Sequence, residues 1–296
     1  MIFPTLKVIV GVPSSGKTTY CKNYIEYKNN RRTIHISSDK IRKEILNDEN
    51  DQTNNSKVFE VMHQRTLEAL ENGYDVLYDA TNITRKDRLS ILSKCPSYVI
   101  KEAIVCWAPI EMCIERDSNR DRTVGKDVID RMLKRFQVPY FDEGFDRIYV
   151  ERPVGWFEKY EDEYIHQTLE KDINQDNPHH TFSLQQHMFA AYKYLVDKGV
   201  VDTDLLLAAS WHDLGKLYTK TFTNTKGETT DVAHYYGHQG YSAWMCYGFK
   251  VCNNNIAWLV SAHMDLYQDN NRYVKQLPIF LRNKLELLHQ ADVSAH

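Results

Sequence analysis

Short apolar runs alternate with helix-periodic stretches through the first half of the chain. Lys7–Val10, Thr33–Ile36, Asp75–Tyr78, Val99–Trp107 and Arg147–Val150 predict strands. Between them, Lys17–Tyr27, Asp39–Leu46, Ser56–Asn72, Arg85–Lys94, Glu111–Asn119 and Lys126–Phe136 predict helices. Such alternation implies a parallel sheet with helices on both faces. The Asn- and Asp-rich segment 47–55 predicts a mobile loop. From about Glu158 the pattern changes. Residues 158–176 are acidic and polar, and Asn177-Pro178 breaks the chain. Only helical signals follow, over Ser183–Lys198, Asp204–Leu214, Gly240–Tyr247, Asn254–His263 and Pro278–Ala291, with Thr219–Thr230 as a loop or short hairpin. The expected organisation is an α/β domain over 1–152, a linker over 153–176 and an all-α domain over 177–296.

The length agrees: 296 residues at about 100–200 per domain suggest two domains. With 42% hydrophobic residues, each half has material for a core. No run approaches the ~20 apolar residues of a membrane helix. The N-terminus lacks a basic flank and its apolar stretch runs into a glycine-rich loop, so no signal peptide is expected. Six scattered cysteines without a C-x-x-C pair argue against a disulfide framework or a cysteine zinc site, and fit a reducing cytoplasm. The net charge of −3 hides an asymmetry. Residues 1–152 carry 25 Lys+Arg against 23 Asp+Glu (+2); residues 153–296 carry 12 against 17 (−5). Conversely, seven of the twelve histidines fall between His179 and His263, which suggests two chemistries in one chain.

The first chemistry is phosphate binding. Gly11-Val-Pro-Ser14-Ser15-Gly16-Lys17-Thr18-Thr19 follows a predicted strand and opens a predicted helix, and matches G-x-x-x-x-G-K-[ST]. Glycines let backbone N–H groups turn inward around phosphate oxygens, and the helix aims its positive end at the same anion. Lys17 would reach the β/γ-phosphates and the Thr18 hydroxyl would ligate Mg²⁺. Asp39 stands where the second strand meets its helix, with Arg42 three residues on along the same face. Asp39 could take a proton from an acceptor hydroxyl while Arg42 grips an acceptor phosphate; Ser37, Ser38 or Asp39 could equally be a helix cap. Asp79, Thr81 and Asn82 follow the third strand, as acceptor-site residues or as a turn. Arg116 and Arg120 share a helix face and suit a lid over the moving phosphoryl group, or a solvated basic face.

This set resembles the 5′-hydroxyl polynucleotide kinases of phage and bacterial RNA repair, over about residues 5–150. The resemblance implies an ATP (or other NTP)·Mg²⁺-dependent α/β P-loop kinase domain. It assigns the general base to Asp39, the acceptor-phosphate ligand to Arg42 and the donor-phosphate contact to Arg120. The inserted Ala80 departs from that family's Asp-Thr-Asn element and leaves Asp79 and Thr81 open.

The second chemistry is metal binding. His212-Asp213-Leu-Gly-Lys216 is accompanied by His179, His180, His187, His234, His238, His263 and Asp292. Imidazole with carboxylate suits Mn, Fe, Co, Ni or Zn better than Mg. This half resembles the HD phosphohydrolase superfamily over about 177–296, on His187, His212, Asp213 and Asp292. The resemblance implies an all-α HD domain in which those four hold one divalent transition metal (Mn²⁺, Ni²⁺, Co²⁺, Fe²⁺ or Zn²⁺). It gives His238 and His263 a second metal or a bridge to phosphate, and His180 and Lys216 phosphate contacts. Together the resemblances imply end-healing of broken RNA, or DNA: phosphorylation of 5′-OH ends and removal of 2′,3′-cyclic phosphate. An RNA ligase would be the functional partner and a bacterial or phage-infected cytoplasm the setting. Two other readings stand: a nucleoside or nucleotide kinase fused to an HD nucleotidase, and an ATP-binding switch with a regulatory HD module.

Overall fold

The computed structural model describes residues 3–28, 32–178, 181–267 and 272–295. The chain divides into two compact units, Met1–Ile129 with Pro139–Pro153, and Asp130–Val138 with Val154–His296.

The first unit is a five-stranded parallel sheet of order β2-β3-β1-β4-β5. Its strands are β1 (Thr5–Val10), β2 (Thr33–Ser37), β3 (Asp75–Asp79), β4 (Ile100–Cys106) and β5 (Arg147–Glu151). The helices α1 (Lys17–Lys28), α2 (Ser38–Leu46), α3 (Asn55–Glu71), α4 (Arg85–Leu92), α5 (Ile110–Ser118) and α6 (Lys126–Lys134) alternate with them, α6 ending among the second unit's residues. β1 is central, between β3 (Leu6 opposite Val76) and β4 (Thr5 opposite Ile100). Its Leu6, Val8, Ile9 and Val10 are fully buried, as a strand covered on both faces requires. The chain leaves β1 toward β2 but leaves β3 toward β4, so a crevice opens at the carboxyl ends of these neighbours. Both the phosphate loop and Asp79 sit there.

One buried ion pair ties α4 to the turn at 141–143. Arg88, with no exposed surface, donates Nε and Nη2 to the two Glu143 carboxylate oxygens, each at 2.7 Å. Its Nη1 donates to the Asn82 carbonyl at 3.0 Å. Arg88→Met leaves Glu143 buried without its main partner and is expected to cost about 3–5 kcal/mol in chemical denaturation, most of it recovered by adding Glu143→Leu. A single-variant loss below ~1 kcal/mol would contradict this account.

The second unit is mainly helical: α7 (Trp156–Lys159), α8 (Glu161–Leu169), α9 (Leu184–Asp197), α10 (Thr203–Trp211), α11 (Lys216–Thr219), α12 (His238–Cys246), α13 (Asn254–Ala262), α14 (Arg272–Gln276) and α15 (Ile279–Ser294). α9 packs on α10 and α15, and α13 on α10 and α12. Three features differ from the sequence expectation. The segment 153–176, expected as a linker, carries α7 and α8. They dock because Trp156 Nε1 donates to the Gly248 carbonyl and Tyr164 Oη to the Met245 carbonyl, both at 2.9 Å. Residues 130–138, expected in the first domain, belong to this unit; Phe136 sets its ring edge-on to Trp244 at 5.1 Å. The all-α expectation gives way to an added antiparallel ribbon of β6 (Thr221–Thr223) and β7 (Thr229–His234), the hairpin alternative for 219–230.

Candidate phosphate loop and candidate metal centre

In the first unit, Gly11–Thr18 forms a tight turn between β1 and α1. Ser14 and Gly16 have φ of 61° and 106°. Gly11, at φ 155°, is irreplaceable on space alone: an added Cβ would stand 2.5 Å from Ser15 Oγ and 2.7 Å from the Cys106 carbonyl oxygen. Gly11 N–H donates to the Thr81 carbonyl at 3.0 Å, and the buried Asn82 donates Nδ2 to the Ile9 carbonyl at 2.7 Å. Thr81 and Asn82, expected to contact substrate, thus link the end of β3 to β1; Asn82 is a buried brace, and the correction follows from its burial. Lys17 donates to the Val12 carbonyl at 2.8 Å. Burial lowers its pKa, while the nearby Asp79, Cys106, Cys113 and Asp39 oppose the shift. Thr18 and Thr19 are exposed at the start of α1.

Asp39 lies in the first turn of α2, where Ser37 holds the cap position without a side-chain bond. Its carboxylate, 51% exposed, accepts from Arg42 Nη1 at 2.8 Å and lies 3.3 Å from Arg122 Nη1. Arg42 is buried and donates also to Asn55 at 3.0 Å. It therefore positions Asp39, where the sequence suggested a ligand for acceptor phosphate. Arg122, not singled out in the sequence, joins Asp39 to Asn50 Oδ1 at 2.6 Å and the Glu49 carbonyl at 2.9 Å. Arg120 donates to Ser14 Oγ at 3.2 Å, so it stands over the loop; Arg116 is exposed on the last turn of α5. The buried Asp117 was also missed. It accepts from Ser14 Oγ (3.3 Å) and from Val124 and Gly125 N–H, fastening the lid turn to the loop. Asp79 is buried and pairs with His35 Nε2 at 2.9 Å. Cys21, His35 and Asp79 place ligand-type atoms within 4.8 Å of one another, but burial pushes the Cys21 thiol pKa up and keeps it protonated.

In the second unit, His187 from α9, His212 and Asp213 after α10, and Asp292 from α15 bring one ligand atom each within 4.8 Å of the others. His187 Nε2 lies 3.0 Å from Asp292 Oδ1, 3.2 Å from His212 Nε2 and 3.3 Å from Asp213 Oδ2. Asp213 turns its other oxygen to a second set: Oδ1 is 3.1 Å from His238 Nε2 and 3.7 Å from His263 Nε2, with the two nitrogens 3.1 Å apart. Asp213 therefore bridges both sets.

The outer nitrogens fix the chemistry. Nδ1 of His187, His212, His238 and His263 each faces a backbone carbonyl, of Ala295, Ala209, Tyr235 and Val260, at 2.7–2.8 Å. A carbonyl only accepts, so each Nδ1 carries a hydrogen, and each ring turns its Nε2 inward. Facing Nε2 atoms at 3.1–3.2 Å are a spacing satisfied by a shared proton or by a metal ion. The separations fit a metal ion: metal–ligand bonds of about 2.1 Å give ligand–ligand edges of about 3.0–3.4 Å in octahedral or tetrahedral geometry. Despite burial, hydrogen bonds to Asp213 and Asp292 raise the His187 pKa to about 10, whereas burial and the facing His238 and His212 hold His263 at about 3. Although burial opposes it, Lys216, His212, His187 and His238 hold Asp213 well below the usual carboxylate range.

The local fold explains the convergence. The helix expected over Asp204–Leu214 stops at Trp211, and the turn through Gly215 lies against the start of α12. A Cβ on Gly215 would come within 2.1 Å of the His238 carbonyl oxygen, so glycine here lets α12 bring His238 to Asp213. Lys216 is buried, 2.7 Å from both Asp213 Oδ2 and Gln175 Oε1. Tyr267 donates to Asp292 Oδ2 at 2.9 Å, a partner the sequence gave no reason to choose. His234 lies outside both sets and bonds Thr230 Oγ1 at 3.0 Å. His180 lies outside the described residues. A cavity of about 490 Å³ opens beside Asp213, Lys216, His238 and Asp292.

Residues 6–139 match the family model described as AAA domain, in keeping with an α/β P-loop kinase-like fold for the first unit. The chain is 28% identical over 145 residues to an L-seryl-tRNA(Sec) kinase of Methanococcus maripaludis, covering 45% of this chain and 53% of the relative. It thus spans about half the length of the curated relative it matches. Among solved structures, a chain of the Pnkp1/Rnl/Hen1 RNA repair complex aligns at 21% identity and TM-score 0.42, covering 49% of this chain and 47% of that one. A gluconokinase from Sinorhizobium meliloti aligns at 16% identity and TM-score 0.36, covering 52% and 85%. Among the described residues, no helix is long and apolar enough to cross a membrane.

Proposed function

We propose that the chain is a two-site end-healing enzyme: an ATP-dependent 5′-hydroxyl polynucleotide kinase in the first unit and an HD-type metal-dependent 2′,3′-phosphoesterase in the second. The observation that carries the reading is the pairing, in one chain, of a phosphate loop facing Asp39 with an imidazole–carboxylate centre bridged by Asp213.

In the kinase, loop N–H groups and Lys17 hold the ATP phosphates, and Arg120 reaches the same loop. Thr18 would hold Mg²⁺, which when bound would supply positive charge against the ATP phosphates. Asp39, oriented by Arg42 and Arg122, accepts the proton of the 5′-hydroxyl as its oxygen attacks the γ-phosphorus and ADP leaves. In the second unit, His187, His212, Asp213 and Asp292 would hold one transition metal, and Asp213, His238 and His263 a second. The metal supplies Lewis acidity and a water of lowered pKa. Lys216 adds positive charge beside Asp213, where the phosphate would lie, and Tyr267 orients Asp292. Opening the cyclic phosphate leaves a 2′- or 3′-phosphate, and a second hydrolysis at the same site releases inorganic phosphate; the resulting 5′-phosphate and 3′-hydroxyl ends are the substrates an RNA ligase joins.

The test is an RNA strand bearing 5′-OH and 2′,3′-cyclic phosphate ends, incubated with ATP, Mg²⁺ and Mn²⁺. Modification of both ends is the expected result. Modification of neither, with turnover of free nucleosides or nucleotides, would replace this reading with the small-molecule one, which the modest size of the second unit's cavity favours.

A further inference from the structure

The cavity beside the candidate metal centre has two chemically different kinds of lining: the charged and ligand-type groups of Asp213, Lys216, His238 and Asp292, and the rings of His234, Tyr236 and Tyr267. His234 closes β7 and Tyr236 follows two residues later, in the turn before α12. The rings stack, with centroids 5.4 Å apart and planes 11° from parallel. Thr230 holds His234 from behind. Tyr235, between them, also lines the cavity: its hydroxyl donates to the Gln175 carbonyl at 2.6 Å, and the Lys216 ammonium lies 5.2 Å from its ring centroid. The same hairpin thus fixes a cation near the metal ligands and a stacked aromatic pair facing the cavity. Tyr236 keeps 42% of its surface exposed.

A ligand that satisfies both kinds of lining carries a phosphate and a flat aromatic ring. The volume, about 490 Å³, suits one such unit and not a duplex. We infer that Tyr236, backed by His234, is the stacking platform for the base of a single nucleotide whose phosphate lies at the metal centre. The second site then takes a terminal nucleotide with its base inserted. This rests on the phosphoesterase reading above. Stacking has no hydrogen-bond code, so purine and pyrimidine ends would both be accepted.

The experiment uses the full chain with Mn²⁺ and compares kcat/KM for adenosine 2′,3′-cyclic phosphate with that for the base-less 1-O-methylribose 2,3-cyclic phosphate. Wild type is expected to favour the nucleotide by about 5- to 150-fold. Tyr236→Ala should collapse that ratio toward unity, and Tyr236→Phe, which keeps the ring, should retain it. A wild-type ratio near unity, or one that survives Tyr236→Ala, overturns the platform while leaving the phosphoesterase standing. No turnover of either compound by wild type overturns the phosphoesterase reading and the platform with it.

Discussion

An Asp213→Asn variant is expected to lose bound transition metal and cyclic-phosphate activity together. Asp213 is the one side chain shared by both ligand sets, through Oδ2 toward His187 and His212 and Oδ1 toward His238 and His263. Asparagine keeps the shape but replaces one oxygen with an N–H donor, aimed where the Nε2 atoms converge, and removes a negative charge. Partners of metal ligands, one bond removed from the metal, cost about 10–100-fold in affinity or activity when replaced. A ligand common to both sets should exceed 100-fold. Asn is preferred to Ala because the buried Lys216 ammonium would otherwise lose its 2.7 Å partner, and misfolding would confuse the result. Metal content by elemental analysis and cyclic-phosphate opening on RNA are the two readouts. Full activity with unchanged metal content would remove Asp213 from the centre and end the metal-dependent reading.

The second large effect is expected at Asp39. Asp39→Asn should lower kcat for 5′ phosphorylation by about 10²–10⁴-fold, the usual contribution of a positioned general base. The KM for ATP should stay within a few-fold, since the phosphate loop, Lys17 and Arg120 are separate from the carboxylate. Here too Asn is the informative variant. Arg42 is buried and donates to Asp39, so alanine would strand a buried guanidinium. A carboxamide oxygen can still accept from Arg42, but it cannot take the hydroxyl proton. The same preparation should open cyclic phosphate at the wild-type rate. Equal loss at both ends would mean a folding defect, and retained kinase activity would remove Asp39 as the base.

The sequence by itself determined the strand–helix order of the first unit and the chemical inventory. Strand–helix alternation set the parallel sheet, because a βαβ connection leaves little other choice for apolar runs of that length. The phosphate loop was legible because its chemistry is local: eight consecutive residues form the whole anion cradle. The His and Asp residues that cluster in the second unit were legible by residue type, though not their arrangement. What only the tertiary structure decided is where distant residues meet. Asp213 as a bridge, Nδ1 bound to four separate carbonyls, and Tyr267 on Asp292 depend on how α9, α10, α12, α13 and α15 pack, which no local pattern records. The same holds for Arg42 and Asn82. Their side-chain chemistry suggests substrate contact, but burial commits them to internal partners. The assignment of 130–138 and 156–169 to the second unit likewise follows from aromatic contacts made far along the chain, by Phe136 on Trp244 and Trp156 on Gly248. Periodicity reports which face of an element is apolar; which partner covers that face is a property of the packed chain.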